Sequence, residues 1–317
     1  MKIVLLESLA ISQDVLQQYA SKLESQGHTF VAYERTNDQQ VLKEESRDAD
    51  VLMLANMPLK GEVIRSCENL KFINVAFTGV DHVDLAAAAE MKAAVSNASG
   101  YSNESVAELT LGMAIDCLRN VEAVAQRCRN QGTKDGLVGC ELAGKTVGII
   151  GCGKIGSRAA ELFHAFGCRI LAYRASAKVE HPDYVEKVSL EELLAASDIV
   201  SLHCPLNDST RGLMNAQRIA MMKPGAVLIN TARGPVVDSQ ALADALNEGR
   251  LSAAAVDVFE MEPPVPQDHP LLQAKNCLVT PHIAFATKES MLLRAQIVFK
   301  SLDTFLAGGQ ENVILAR

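Results

Sequence analysis

The residues GCGKIG, at 151–156 of this 317-residue chain, have the types and spacing to bind a phosphate. They follow the apolar run KTVGII and open the helical run SRAAELFHAFG. Strand, glycine-rich turn and helix, in that order, form a cradle for a dinucleotide's pyrophosphate. Gly151 permits the tight turn, Gly153 lets phosphate approach the backbone, and Gly156 lets helix and strand pack closely. The amides of Lys154, Ile155 and Gly156 lie at the helix start, where unpaired N–H groups carry partial positive charge. An NAD site usually has an acid at the end of the next strand, to hold the ribose 2′-hydroxyl. Here the strand RILAY ends in Arg174, followed by Ser176 and Lys178, with no acid before Glu180. Arg174 and Lys178 suit a 2′-phosphate, which favours NADP(H) within an NAD(P)(H) assignment. The alternative is that both are solvated cations and NAD binds without the acidic contact.

Three later segments each end a strand-like run. INTARG (229–234) carries Arg233, AVDVFEMEP (255–263) carries Asp257 and Glu262, and TPHIAFAT (280–287) carries His282. Ligands of a doubly wound sheet sit beyond the carboxyl ends of its strands, so these segments would converge near the nicotinamide end of the cofactor. Taken singly, each residue has a plainer reading: a surface arginine, a polar loop, a structural histidine.

Positioning such residues takes strands and helices in alternation. Ile3–Leu6, Thr29–Ala32, Val51–Leu54, Phe72–Ala76 and Ala94–Ser96 read as strands, with amphipathic stretches such as Gln13–Glu24 and Glu62–Cys67 between them. A second series reads Thr146–Ile150, Arg169–Tyr173, Ile199–His203, Ala226–Asn230, Ala253–Val256 and Cys277–Thr280. Two α/β units with parallel sheets follow. Asn103–Arg129 is expected to be a long connecting helix, capped at Ser102 or Asn103, and Lys288–Leu306 a final helix.

With these segments in place, the chain resembles the D-isomer-specific 2-hydroxyacid dehydrogenase family, of the glyoxylate/hydroxypyruvate reductase kind. The resemblance runs almost end to end, through VAFTGVDHVD (75–84), SVAELTLGMAI (105–115), GKTVGIIGCGKIG (144–156), SLEELLAASDIVSLHCPLNDSTRGLMN (189–215) and the three segments above. It implies an α/β fold of two doubly wound parallel-sheet domains. A Rossmann cofactor domain (98–286) would be inserted into a flavodoxin-like substrate domain (1–97 plus 287–317), with a cleft between.

It also implies Arg233, Glu262 and His282 as the catalytic group, transferring hydride between a nicotinamide and C2 of a small 2-oxo or D-2-hydroxy acid. Arg233 would hold the carboxylate and carbonyl oxygen with its planar fork of donors. His282 would give a proton to that oxygen during reduction. Glu262 would bind the far imidazole nitrogen and favour the protonated ring. Backbone amides around Thr78, Gly79 and Val80 would take the substrate carboxylate. Asp257 would meet the nicotinamide amide, with His203, Cys204, Pro205, Thr210, Thr231, Ala232 and Ala284 lining the cofactor site.

The chain departs from the family pattern in three places. It has no Trp, although the family often carries one in the loop before the cofactor strand, here 128–142. Ala284 stands where a glycine is common, and Phe285 beside it is expected either to line the substrate pocket or to point into the core. The segment Asn56–Lys60 is expected to border that pocket. It brings only Lys60 as a cation and no Arg, which disfavours a phosphorylated acid.

Composition bounds the partners. The net charge of −8 argues against nucleic acid or an anionic membrane surface, and no apolar run is long enough to span a bilayer. Eight cysteines without C-x-x-C pairs or zinc spacing read as reduced, mostly buried thiols, with no metal and a cytoplasmic location. A homodimer is implied by the resemblance. The apolar stripe Val106, Leu109, Met113 and Leu118 fits an interface or a core-facing helix equally. Two alternatives stay open: a nucleotide-sensing corepressor of the same fold, and a formate- or phosphite-type dehydrogenase.

Overall fold

The computed structural model describes residues 1–173 and 181–316, so Arg174, Ser176 and Lys178 lie outside the described residues. The chain divides into two compact units, one of Met1–Ser102 with Ala286–Arg317 and one of Asn103–Phe285.

The strands of the first unit are β1 (Lys2–Leu5), β2 (Thr29–Ala32), β3 (Val51–Leu54), β4 (Phe72–Val75) and β5 (Ala94–Asn97). The second unit contributes β6 (Thr146–Ile150), β7 (Arg169–Tyr173), β8 (Val185–Lys187), β9 (Ile199–Leu202), β10 (Val227–Asn230), β11 (Ala253–Val256) and β12 (Cys277–Val279). The chain then returns to the first unit, where β13 (Val313–Leu315) closes its sheet.

In the first unit the sheet order is β13-β5-β4-β3-β1-β2. The pairs are parallel except β13 with β5. The order reverses between β1 and β3, the flavodoxin-like switch point. The helix Lys288–Leu306 covers β4: Phe305 stacks on Phe72 at 4.3 Å, and buried Asn74 donates to the Val298 carbonyl at 2.8 Å. Tyr19 stacks on Phe299 at 3.9 Å, which brings the helix Gln13–Ser25 alongside.

The second unit has the order β12-β11-β10-β9-β6-β7-β8, all parallel. Both faces are covered, as a parallel sheet requires. One core joins Val147, Ile149 and Phe163 to Ala107, Met113 and Ala114 of the helix Asn103–Arg119. The other joins Val200, Leu202 and Leu228 to Leu193, Ile219 and Leu242 from three helices on the opposite face. Close approach selects small residues: a Cβ at Gly148 would overlap Leu193 and Ser197 of the packed helix.

Some elements differ from the expectation. The segment 103–129 is two helices, Asn103–Arg119 and Val121–Arg129, broken at Asn120 with φ +55°. Asn tolerates that left-handed conformation, and the second helix buries none of its side chains, so no core contact keeps the two collinear. Met113, with Leu109 and Leu118 partly buried beside it, packs into the second unit's own core, so that stripe is core-facing. Strands β8 and β13 are not among the expected ones: β8 (Val-Glu-Lys) carries no apolar run, and β13 (Val-Ile-Leu) is apolar but only three residues long. Val185 is the one buried residue of β8, and Val313 and Ile314 of β13 are exposed. All eight cysteines are free thiols. Four are buried, whereas Cys128 and Cys140 are exposed on an outer helix and the loop after it. Among the described residues, no helix is long and apolar enough to cross a membrane.

Candidate active site

The parallel order of the second sheet aligns five turns at one edge. They follow β12, β11, β10, β9 and β6, and carry 280–285, 257–262, 231–234, 203–205 and 151–156 respectively.

At β6, Gly151 has φ +94°, and a Cβ there would lie 2.5 Å from the Cys204 amide nitrogen. A Cβ at Gly156 would overlap the Gly151 carbonyl oxygen. At Gly153 a Cβ would meet no atom of the described residues within 4 Å. The first and third glycines therefore serve chain packing, and the second leaves its face open to a ligand. Gly153 caps the twelve-residue helix Lys154–Ala165, whose first-turn amides of Lys154, Ile155 and Gly156 have no intrahelical acceptor. These residues fit a dinucleotide's pyrophosphate.

At β9, His203 Nε2 lies 3.0 Å from Ser201 Oγ, and its Nδ1 is buried with no hydrogen-bond partner among the described residues. Burial pushes this imidazole down to about 4, so it is neutral at physiological pH. Burial also pushes the Cys204 thiol up to about 11, so it is not a thiolate nucleophile. The Thr210 hydroxyl donates to the Pro205 carbonyl at 2.6 Å and accepts from the Asn207 amide at 2.9 Å, which knots the loop that holds Pro205.

At β10, Asn230 folds the turn that follows. Its side chain accepts from the Ala232 amide at 3.1 Å and donates to the Arg233 carbonyl at 3.0 Å. Thr231 Oγ1 lies 3.1 Å from Thr110 Oγ1 of the helix Asn103–Arg119. Arg233, half-buried, donates from Nη1 to the Ala232 carbonyl at 2.9 Å. A Cβ at Gly234 would overlap the Phe259 carbonyl. The backbone beside Arg233 thus packs directly on the segment leading to Glu262.

That segment is pinned again at Glu260, which accepts from Ser239 Oγ at 2.5 Å and pairs with His269 Nε2 at 3.0 Å. Burial pushes the Glu260 carboxyl up, but these two partners outweigh it and hold it below its ordinary value.

At β12 the turn organises around Asp257. This fully buried carboxylate accepts from Thr280 Oγ1 at 2.6 Å, the Ile283 amide at 2.8 Å and the Ala284 amide at 2.9 Å. The His282 amide donates to the Asp257 carbonyl at 2.8 Å. His282 is thereby held at φ +59°, a costly conformation for a residue with a side chain. Its Nδ1 lies 2.9 and 3.0 Å from the two Glu262 oxygens, so Nε2 faces away from the carboxylate. The His282 side chain is 10% exposed and that of Glu262 38%. Phe285 meets the His282 ring edge-on at 5.0 Å, so it packs on the histidine. Burial raises the Asp257 carboxyl above its ordinary value, against the pull of its three donors.

The first unit holds the remaining candidates. Thr78, Gly79 and Val80 follow β4. The Thr78 carbonyl accepts from Asn97 Nδ2 at 2.6 Å, and Thr78 Oγ1 is buried with no hydrogen-bond partner among the described residues. The segment Asn56–Lys60 carries no arginine of its own, as its sequence states, but one from another strand end reaches it. Arg35, after β2, donates to Asn56 Oδ1 at 3.1 Å and to buried Glu7 at 3.3 Å. Glu7 in turn accepts from the Ala55 and Met57 amides at 2.7 and 2.8 Å. Residues 21 apart in sequence carry no pairing signal, because only the sheet order brings them together.

The model of the D-isomer specific 2-hydroxyacid dehydrogenase NAD binding domain matches residues 111–284. The chain is also 36% identical over 327 aligned residues to the hydroxypyruvate reductase of Blautia hydrogenotrophica, covering 99% of each chain. The chain belongs to the D-isomer-specific 2-hydroxyacid dehydrogenase family. Among solved structures, D-lactate dehydrogenase of Aquifex aeolicus with NAD and lactic acid aligns with TM-score 0.89 and 29% identity over 100% of both chains. An acyclic imino acid reductase in complex with NADPH and D-Arg aligns with TM-score 0.91 and 26% identity, over 99% of this chain and 100% of that one.

Two predictions follow from the geometry of this family member. Asp257→Asn keeps the side chain's shape but sets an NH2 group against one of three donors. We expect kcat to fall roughly 10–100-fold through displacement of His282. Steady-state rates measure this, and an unaltered kcat would remove Asp257 from the positioning of His282. The second concerns His203, whose value near 4 lies below the ordinary unfolded value of about 6.5. Below that pH the unfolded chain takes up a proton that the folded chain refuses. Stability is therefore lost as pH falls from about 6.5 towards 4, by up to roughly 1.4 kcal/mol per unit. His203→Gln removes this share of the slope, so urea melts of variant and wild type should converge in that window and run parallel above it.

Proposed function

We propose that this chain reduces a small 2-oxo acid at C2 to the D-2-hydroxy acid, and runs the reverse oxidation. The His282–Glu262 pair carries the reading, because it sits at the same sheet edge as the Gly151–Gly156 cradle. The nicotinamide cofactor supplies or accepts the hydride. Gly153 and the amides of Lys154, Ile155 and Gly156 hold the pyrophosphate. Arg233 orients the acid through its carboxylate and carbonyl oxygen, and stabilises the negative charge that grows there. His282 donates the proton from Nε2 to that oxygen, and takes it back in the oxidation. Glu262 holds Nδ1, fixing the ring's orientation and offsetting its charge. The amides around Thr78–Val80 take the substrate carboxylate.

Two finer points belong to the proposal. NADP(H) is the preferred cofactor, since the strand RILAY leads into Arg174, Ser176 and Lys178 with no acid before Glu180. The substrate carries a short polar group beyond C2, as hydroxypyruvate does. Arg35 and Asn56, held together at 3.1 Å, offer donors to such a group.

A panel of glyoxylate, hydroxypyruvate, pyruvate and phenylpyruvate, run with NADH and with NADPH, tests the whole reading. The expected ranking places hydroxypyruvate above pyruvate, with higher kcat/KM for NADPH. Arg35→Ala should narrow the gap between hydroxypyruvate and pyruvate, and an unchanged ratio would remove Arg35 from the site. His282→Asn should lower kcat by roughly 10²–10⁴-fold with the fold intact by circular dichroism. Near-normal turnover in that variant would end its acid–base role.

A further inference from the structure

A backbone amide can hold a carboxylate only if its peptide plane is turned the right way, and in the first unit one side chain sets that plane. Asn97, the last residue of β5, is 7% exposed. Its Nδ2 donates to the Thr78 carbonyl at 2.6 Å, and its Oδ1 accepts from the Ser99 amide at 3.2 Å. Beside it the Ala98 amide donates to the Phe77 carbonyl at 3.0 Å, so the turns after β4 and β5 are laced together at two successive carbonyls. In a trans peptide the C=O and the following N–H point in opposite directions. A Thr78 carbonyl drawn towards Asn97 therefore turns the Gly79 N–H away from β5. The Thr78 hydroxyl, buried and without a hydrogen-bond partner among the described residues, is a second polar group at the same turn that calls for a ligand.

We propose that Asn97 is a positioning residue for substrate: it holds the Thr78–Gly79 peptide with the Gly79 amide presented to the carboxylate of the 2-oxo acid. This rests on the reading of Thr78–Val80 as the carboxylate site. The side chain must donate at one end and accept at the other, with the reach of a single methylene, and only asparagine does both. Aspartate at 97 would set a carboxylate oxygen against the Thr78 carbonyl oxygen and release the peptide. Serine would still accept from the Ser99 amide, as in a serine turn, but is too short to reach Thr78.

The test compares Asn97→Asp and Asn97→Ser with wild type, using glyoxylate as the probe. Losing a hydrogen bond to a charged group should raise KM about tenfold or more, while kcat falls much less. The NADPH dissociation constant, read by fluorescence, should stay within about twofold, as expected for a change that spares the second unit. A purely structural role would instead lower stability and cofactor binding together, or move kcat alone. KM unchanged in either folded variant overturns the proposal, and Asn97→Ser decides the matter if the aspartate variant does not fold. Wild-type turnover of glyoxylate separates the two levels. Turnover with unaltered KM in the variants removes Asn97 only, whereas no wild-type turnover of any 2-oxo acid removes the carboxylate site with it.

Discussion

The buried carboxylate of Asp257 is the interaction on which the site depends most. It gathers three donors from the turn after β12, and its own carbonyl takes a fourth from His282. Those bonds offset the cost of placing a non-glycine residue at φ +59°. Without that left-handed turn the His282 ring would not meet Glu262, which is contributed by the loop of the neighbouring strand. One buried acid outside that pair thus fixes which way the His282 ring faces.

Steric exclusion at glycine does comparable work for the backbone. Gly151 and Gly156 close strand, turn and helix onto one another, and Gly234 seats the turn of Arg233 against the Phe259 carbonyl. Asn230 fixes the first of these segments from within, and Glu260 anchors the second to Ser239 and His269, with hydrogen bonds of 2.5–3.1 Å. Arg233 and Glu262 accordingly sit on backbone determined from both sides. Reaction geometry depends on such rigidity, because catalytic groups act only within a narrow range of distances.

Much of this was legible in the sequence because it is periodic or local. Alternating apolar runs located eleven strands to within a residue at either end, and GCGKIG announced its own turn. What escaped is short or long-range. β8 and β13 are edges of only three residues, and Asn120 breaks a helix through one dihedral angle. Asp257 was visible as a strand-end acid, but its donors lie 23–27 residues downstream. The pairing of Arg35 with Asn56, and of Asn97 with Thr78, joins turns that only the strand order makes neighbours.

The amino-acid sequence by itself determined the class of fold and which groups stand at strand ends: a glycine-rich turn, an arginine, a histidine and a carboxylate. Those follow from residue type and spacing, which act over a few residues along the chain. The tertiary structure alone decided which face each group presents. It set the Nδ1 side of His282 against Glu262, left His203 neutral, and turned the peptide after Thr78. Orientation and protonation depend on burial and on partners from other strands, and those come together only when the sheets form.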